Sequence, residues 1–399
     1  MKPNTGFTGK ALAFCMLIGL ALGWFGNSYF ADQPATATSY EPTAEQADLG
    51  LFWDVWNTLE NNYFDTEDID QQLQIYGAIS GLVDSLGDAY SVFMTPDETE
   101  SFQTSLAGEL EGIGAELTVR DGQLVIVTPL KDTPAEEAGL LPGDHIFMVN
   151  DEPTSEMTIW DAIMKIRGEP NTDVVLTIIR DGLDTALDIT ITRQQIHIPS
   201  VELTIEEHAG DQIAHLSIYQ FGDDTYSEFN SALRELLLAN VDGIVLDLRM
   251  NGGGYLDVSV EILGEFFEDQ VKAVIVKYRN DINEVMYTDG KGSLSDIPVV
   301  VLIDEGSASA SEIVAGALQD HARATLMGEQ SFGKGSVQEL NALIDGSSLR
   351  LTIAKWFTPD DRTIHDVGIT PDHIIEMETT EVDTENDIQY SAALEYLTQ

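Results

Sequence analysis

Apolar and polar positions change their spacing twice along this chain, and each change predicts a different kind of structure. Leu49, Phe52, Val55, Trp56, Leu59 and Tyr63 recur at three- and four-residue steps, the stripe of an amphipathic helix, and residues 76–86 continue in the same manner. Residues 45–107 therefore read as a helical region whose stripe serves packing or dimerisation, with no chemistry in it. From 108 to 193 the period falls to two. Glu116-Leu117-Thr118-Val119 and Gln123-Leu124-Val125-Ile126-Val127 flank Asp121-Gly122, a hairpin signal, and 174–179 faces 187–192 across a second Asp-Gly. Short helices over 133–139 and 158–166 complete a small α+β module. From 194 to 378 the apolar runs become continuous. Residues 243–248 and 298–303 are unbroken, as expected of strands buried on both faces, and each leads through a small-residue loop into a helix, over 256–267 and 311–319. That is an α/β core. Residues 379–399 form an acidic tail ending in a helix.

Charge narrows the choice of partner. With 19 basic against 69 acidic residues the formal net charge is −50, which excludes nucleic acid as the main partner because a phosphate backbone would be repelled. The single cysteine, Cys15, lies in an apolar run, so the folded part has no internal disulfide and no cysteine metal site. Residues 11–25 are apolar or glycine and follow Lys2 and Lys10 with no acid between, the n-region and h-region of an export signal. Residues 1–30 are a signal peptide or a membrane anchor (the apolar stretch over 11–26), and 31–44 a polar linker. The protein is expected to work outside the cytoplasm.

Two segments carry the chemistry. Gly306-Ser307-Ala308-Ser309-Ala310-Ser311-Glu312 places small hydroxyl residues where a strand gives way to a helix, beside N–H groups with no intrahelical partner. Ser309-x-x-Glu312 also fits a capping box, and a capping serine can still face solvent. Gly333-Lys334-Gly335-Ser336-Val337-Gln338 holds a lone lysine between glycines, and 331–338 contains no acid. Serine plus lysine makes a nucleophile and base without histidine, provided the amine loses its proton, which burial away from carboxylates achieves. Gln338 is placed to orient that amine. Asp247-Leu248-Arg249-Met250-Asn251-Gly252-Gly253-Gly254 also follows a buried strand; it lacks a phosphate-loop ending and offers either oxyanion donors or a tight turn. The seven histidines form no HExxH, and of them His365 merits attention, with a structural hydrogen bond the simpler role.

Taken in order, these segments resemble the C-terminal processing peptidases, also called tail-specific proteases. The resemblance runs over about 45–378 and rests on Gly108-Glu109-Leu110-Glu111-Gly112-Ile113-Gly114-Ala115, Ala138-Gly139-Leu140-Leu141-Pro142-Gly143-Asp144, and the loops at 247–254, 306–312 and 333–338. It implies a multidomain α/β and α+β fold: an N-terminal helical region, a PDZ domain over 108–193 and a crotonase/ClpP-like protease core over 194–378. It implies Ser309 as nucleophile, Lys334 as general base and Gln338 as its support, with Ala310 N–H and a glycine of 252–254, here Gly253, as oxyanion donors. Family members usually carry proline where this chain has Gly252. The PDZ domain is expected to hold a substrate's terminal carboxylate at Gly112, Ile113 and Gly114, and Lys165-Ile166-Arg167-Gly168 matches a segment whose arginine, here Arg167, couples docking to catalysis. No metal or cofactor is implied. The competing reading is a PDZ-type peptide-binding protein whose protease-like core is inactive.

Overall fold

The computed structural model describes residues 48–65, 70–120, 123–157, 159–180, 182–183, 185–279, 281–377 and 387–399. The export segment, the 31–44 linker and the Asp121-Gly122 turn lie outside the described residues, among which no helix is long and apolar enough to cross a membrane. The chain divides into two compact units, residues 1–71 and 72–399.

In the first unit the predicted stripe forms helix α1 (Gly50–Asn62), none of whose residues is buried. Phe52, Trp53 and Trp56 pack ring on ring along it, with Phe52 and Trp53 edge to face at 5.2 Å.

The second unit opens with α2 (Gln71–Asp84), β1 (Val92–Met94) and α3 (Pro96–Leu106). The helical region expected over 45–107 is thus interrupted. Val92-Phe93-Met94 is a short apolar run that pairs antiparallel with a distant strand, and Thr95 then starts a new helix with a capping box to Glu98 and Pro96 in its first turn.

The module over 108–193 is a twisted antiparallel sheet of β3 (Ala115–Arg120), β4 (Gln123–Pro129), β5 (His145–Val149), β7 (Asp173–Ile179) and β8 (Leu187–Thr192), with β6 (Glu152–Pro153) on β5. Helices α4 (Pro134–Glu137) and α5 (Ile159–Ile166) accompany it, and Ile126, Leu140, Ile146, Val149, Leu176 and Ile178 fill its core. Entry and exit are clamped together: β2 (Glu109–Gly112) pairs with β9 (Gln194–His197). Buried Arg193 closes this neck by donating to the carbonyls of Lys165, Ile166 and Asp173.

The core has two sheets. The first runs β10 (Val201–His208), β11 (Asp211–Ile218), β12 (Gly243–Asp247), β15 (Val299–Ile303), β16 (Thr325–Gly328) and β19 (His373–Ile374), and from β11 onward every neighbour is parallel. All five residues of β12 and of β15 are buried, as expected of runs that are apolar throughout save for Asp247 at the end of β12. Val299, Val301 and Ile303 face helices α6 (Thr225–Ala239), α7 (Leu256–Gly264) and α8 (Ala310–Asp320); Val300 and Leu302 face α9 (Ile388–Leu397). The expected acidic tail therefore ends in a docked helix, with Ala393 and Leu394 in the core. The second sheet is antiparallel, in the order β1-β18-β13-β14 with β17 also on β18, from β13 (Lys272–Tyr278), β14 (Asn283–Tyr287), β17 (Ser336–Ala342) and β18 (Ser348–Phe357).

Candidate active site

Two strand ends of the parallel sheet are stitched into one platform. After β15, Asp304 Oδ1 accepts the N–H groups of Gly306 and, from the β12 loop, Met250. Asn251 is fully buried; its carbonyl accepts Ala308 N–H at 2.9 Å and the Ser311 hydroxyl at 2.8 Å, while its side chain donates to Ile218 O and accepts Gly253 N–H. Gly253 holds φ +101°, and a Cβ on it would lie 2.7 Å from Ala308 O and 2.8 Å from Ser309 Cβ. Only glycine lets the loop come this close.

The platform singles out one hydroxyl. Ser307 is buried and donates to Leu248 O, and Ser311 is buried on Asn251 O. Ser309 is half-exposed; its oxygen completes a capping box by facing the Glu312 N–H, and its O–H donates to nothing among the described residues. Its backbone sits at φ 54°, ψ −111°, outside the ordinary left-handed well, a conformation that costs about 1–3 kcal/mol in a residue with a Cβ. Ala310 N–H, at the first turn of α8, is likewise without an acceptor among the described residues.

Lys334 approaches from the second sheet, immediately before β17. Glu312 joins the two: its fully buried carboxylate accepts Ser309 N–H (2.8 Å) and Lys334 N–H (2.9 Å) on one oxygen, Gly333 N–H (2.7 Å) and the Ser331 hydroxyl (2.6 Å) on the other. Burial pushes its pKa up, against the pull of these donors, and the net shift is upward. Ser309 and Glu312 thus form the expected capping box, and Glu312 also grips the lysine segment, a tertiary role that the i, i+3 spacing does not contain. The acid-free stretch 331–338 accordingly does meet a carboxylate, brought by α8.

Lys334 is nevertheless held below the ordinary lysine pKa, first by burial and then by the Arg350 guanidinium, with Glu312 opposing. Its ammonium lies 5.4 Å above the Tyr90 ring. Ser309, Lys334, Gln338 and Gly252 to Gly254 line one cleft of ≈ 860 Å³. Two expected contacts are not made. No hydrogen bond joins the Ser309 hydroxyl to the Lys334 amine among the described residues. Gln338 donates instead to Ser336 Oγ at 2.8 Å, its i−2 neighbour on the same face of β17, and lies opposite Thr352. Gly253 N–H, expected free, is held by Asn251.

Other expected residues fall in place without touching the cleft. Thr133 Oγ1 donates to Gly114 O, and the N–H groups of Ile113 and Gly114 make no hydrogen bond among the described residues. A Cβ on Gly112 would meet Arg167, so the loop and the arginine are neighbours. His365 keeps a buried Nδ1 without a partner, beside Gly335. Sequence reasoning missed what holds the root of the 247–254 loop. Asp247 is buried, yet hydrogen bonds from His215 and Arg249 bring its pKa down to about 2, and Arg249 reaches on to Asp387 at 2.8 Å just ahead of α9. That ion network joins residues far apart in sequence, and no local spacing signals it.

Comparison with known proteins agrees with this architecture. Residues 212–375 match the model of peptidase family S41, residues 125–180 that of the PDZ domain, and residues 16–99 that of the N-terminal domain of the activating protease CtpB. The chain belongs to the carboxy-terminal processing proteases of peptidase family S41. It is 40% identical over 351 residues to the carboxy-terminal-processing protease of Bartonella bacilliformis, covering 86% of this chain and 78% of that one. To the carboxy-terminal processing protease CtpB of Bacillus subtilis it is 36% identical over 363 residues, 89% of this chain and 75% of that one. Among solved structures, the photosystem II D1 C-terminal processing protease aligns with a TM-score of 0.53 at 27% identity over 89% of this chain and 98% of that one. A putative S41 protease from Bacteroides fragilis shares the fold, with a TM-score of 0.57 at 18% identity over 86% and 96% of the two chains.

Proposed function

We propose that this chain is an exported serine endopeptidase that cuts proteins recognised by their C-terminal tails, using Ser309 as nucleophile and Lys334 as base. The observation that carries this reading is that, of the three serines in its loop, only Ser309 is partly exposed and donates its hydroxyl to nothing among the described residues, and it shares a cleft with a lysine whose ammonium form is disfavoured. Neutral Lys334 takes the Ser309 proton as Oγ attacks the scissile carbonyl. The oxyanion is met by Ala310 N–H and a glycine amide of the 252–254 loop. Lysine then protonates the leaving amine, and water releases the acyl group.

The arrangement described here is a resting one: the lysine lies over Tyr90, and Asn251 occupies the Gly253 amide. Engagement requires the amine to swing toward Ser309 and that amide to open. A tail carboxylate docked on Ile113 and Gly114 N–H, sensed through adjacent Arg167, supplies the trigger in this reading, with Gln338 supporting the engaged amine. The N-terminal apolar segment directs the chain across the cytoplasmic membrane.

Incubation of the protein with an unfolded substrate, beside Ser309→Ala and Lys334→Ala, tests the reading. Both variants lose on the order of 10⁴-fold or more of kcat. Activity rises with pH through a midpoint below 10.5, because a lysine depressed by burial sheds its proton earlier than a free one. The missing Ser309–Lys334 hydrogen bond favours one alternative, a peptide-binding protein with an inactive core. Undiminished binding of tail peptides with no cleavage by the unsubstituted chain would establish that instead.

A further inference from the structure

Arg350 helps to disfavour the Lys334 ammonium, but the proposed mechanism gives it no contact with substrate. It lies in the middle of β18, where its cross-strand neighbours are Leu340 of β17 and Val92 of β1. The strand alternation puts Arg350 and Thr352 on one face, ahead of the register shift that separates them from Trp356. Arg350 and Trp356 line the cleft, and Thr352 meets Gln338. Its surroundings hold it without neutralising it. Nε donates to Tyr90 O at 3.3 Å, and the guanidinium carbon lies 5.3 Å from the Phe102 ring centroid. No carboxylate pairs with it among the described residues.

That solitude is informative in this chain. Acids outnumber bases 69 to 19, and most cations near a carboxylate are paired, as Arg180 is with Asp144 and Arg249 with Asp247 and Asp387. The residues lining the cleft include a single acid, Asp223, against Lys334 and Arg350. With Lys334 neutral for catalysis, Arg350 becomes the positive charge of the cleft, inside a protein whose field repels anions. Two of its nitrogens stay free, and a planar guanidinium fork is shaped for two parallel bonds to a carboxylate. On its strand, Arg350 stands two cross-strand pairs from Gln338–Thr352, about 7 Å at the usual rise per residue, in the cleft that Ser309 also lines. An extended peptide covers that span in about two residues.

Resting on the protease reading above, we propose that Arg350 forms a carboxylate subsite in the cleft it shares with Ser309, selecting substrates that carry a carboxylate within a few residues of the cut. The carboxylate comes either from an aspartate or glutamate side chain or from a chain end close to the cut. Arg350 is then a specificity residue, separate from the tail-docking loop.

The test uses peptides sharing one C-terminal tail and differing only in Asp or Glu against Asn or Gln on either side of the cut. A second arm uses short peptides that end two residues past the cut, free or amidated. The unsubstituted protein should prefer the carboxylate peptides of one arm by about 10–100-fold in kcat/KM, as expected of a hydrogen-bonded charge pair. Arg350→Gln should abolish the preference and Arg350→Lys keep part of it. The arm that shows the preference identifies the source of the carboxylate. Arg350→Gln also removes a charge that depresses Lys334, so its pH midpoint should rise for every peptide alike; a ratio between peptides at the plateau is immune to this. If only the midpoint moves and no preference exists in either arm, the subsite is overturned. Calorimetric binding of the same peptides to Ser309→Ala reads the subsite without catalysis. Equal binding of acidic and neutral peptides there defeats the proposal, whereas a carboxylate preference in a protein that cleaves nothing defeats the protease reading alone.

Discussion

The two walls of the cleft are built in opposite ways. Ser309 rides on the end of a fully buried central strand of the parallel sheet, and Asn251, Asp304, Ser307 and Ser311 cross-link its loop to the next strand end. Lys334 precedes β17, a strand that pairs only with β18 and becomes exposed within a few residues. Packing fixes the serine; the lysine is positioned by a handful of polar contacts, three of them converging on Glu312. The distance between nucleophile and base therefore depends on one buried carboxylate more than on either sheet.

Removing that carboxylate is the strongest way to break the contrast. Glu312→Ala strands three backbone N–H groups and a serine hydroxyl, and it should cost about 2–5 kcal/mol of stability together with at least a hundredfold in kcat. Glu312→Gln keeps the volume but turns an NH₂ group toward donors, so it should recover part of the stability and little of the activity. Denaturant unfolding and steady-state cleavage, measured on both variants, check this. A fully active and stable Glu312→Ala would mean that sheet packing alone sets the lysine.

A glycine pair sharpens the picture of the serine wall. Gly253→Ala forces a Cβ against Ala308 O and Ser309 Cβ at φ +101°, and should cost about 1–3 kcal/mol while slowing cleavage. Gly252→Ala meets nothing within 4 Å and should stay within about 0.5 kcal/mol. Equal behaviour of the two would show that the loop yields, contrary to the stitching described.

What the sequence disclosed follows the same division. Strands β12 and β15, their loops and the helices after them were legible because continuous burial writes itself as continuous apolar sequence. Hairpins β3–β4 and β7–β8 were legible from period two and Asp-Gly turns. The antiparallel sheet was not: β1 joins β18 across some 250 residues, and three residues carry too little pattern to declare a strand. The same held at the site. Ser309 and Lys334 stood out by local composition, but Glu312's second grip, the Tyr90 seat of the ammonium and Arg350 arise only when the second sheet folds against α8. The register shift that sets Gln338 opposite Thr352, and the bond from Gln338 to Ser336, leave no trace in residue spacing.

The smallest expected effect concerns Ser309 itself. At φ 54°, ψ −111° its backbone stores strain that a Cβ makes costly and glycine does not. Ser309→Gly should therefore raise stability by about 1 kcal/mol, visible as a higher Tm, while abolishing cleavage. Ser309→Ala keeps the Cβ and the strain, so it should lose activity with Tm nearly unchanged. Glycine adds backbone freedom to the unfolded chain, which subtracts from the gain, so the comparison that decides is Gly against Ala at this position. If Ser309→Gly is the less stable of the two, the serine is not strained, and the rigidity assigned to its wall must come from packing and the Asn251 bonds alone.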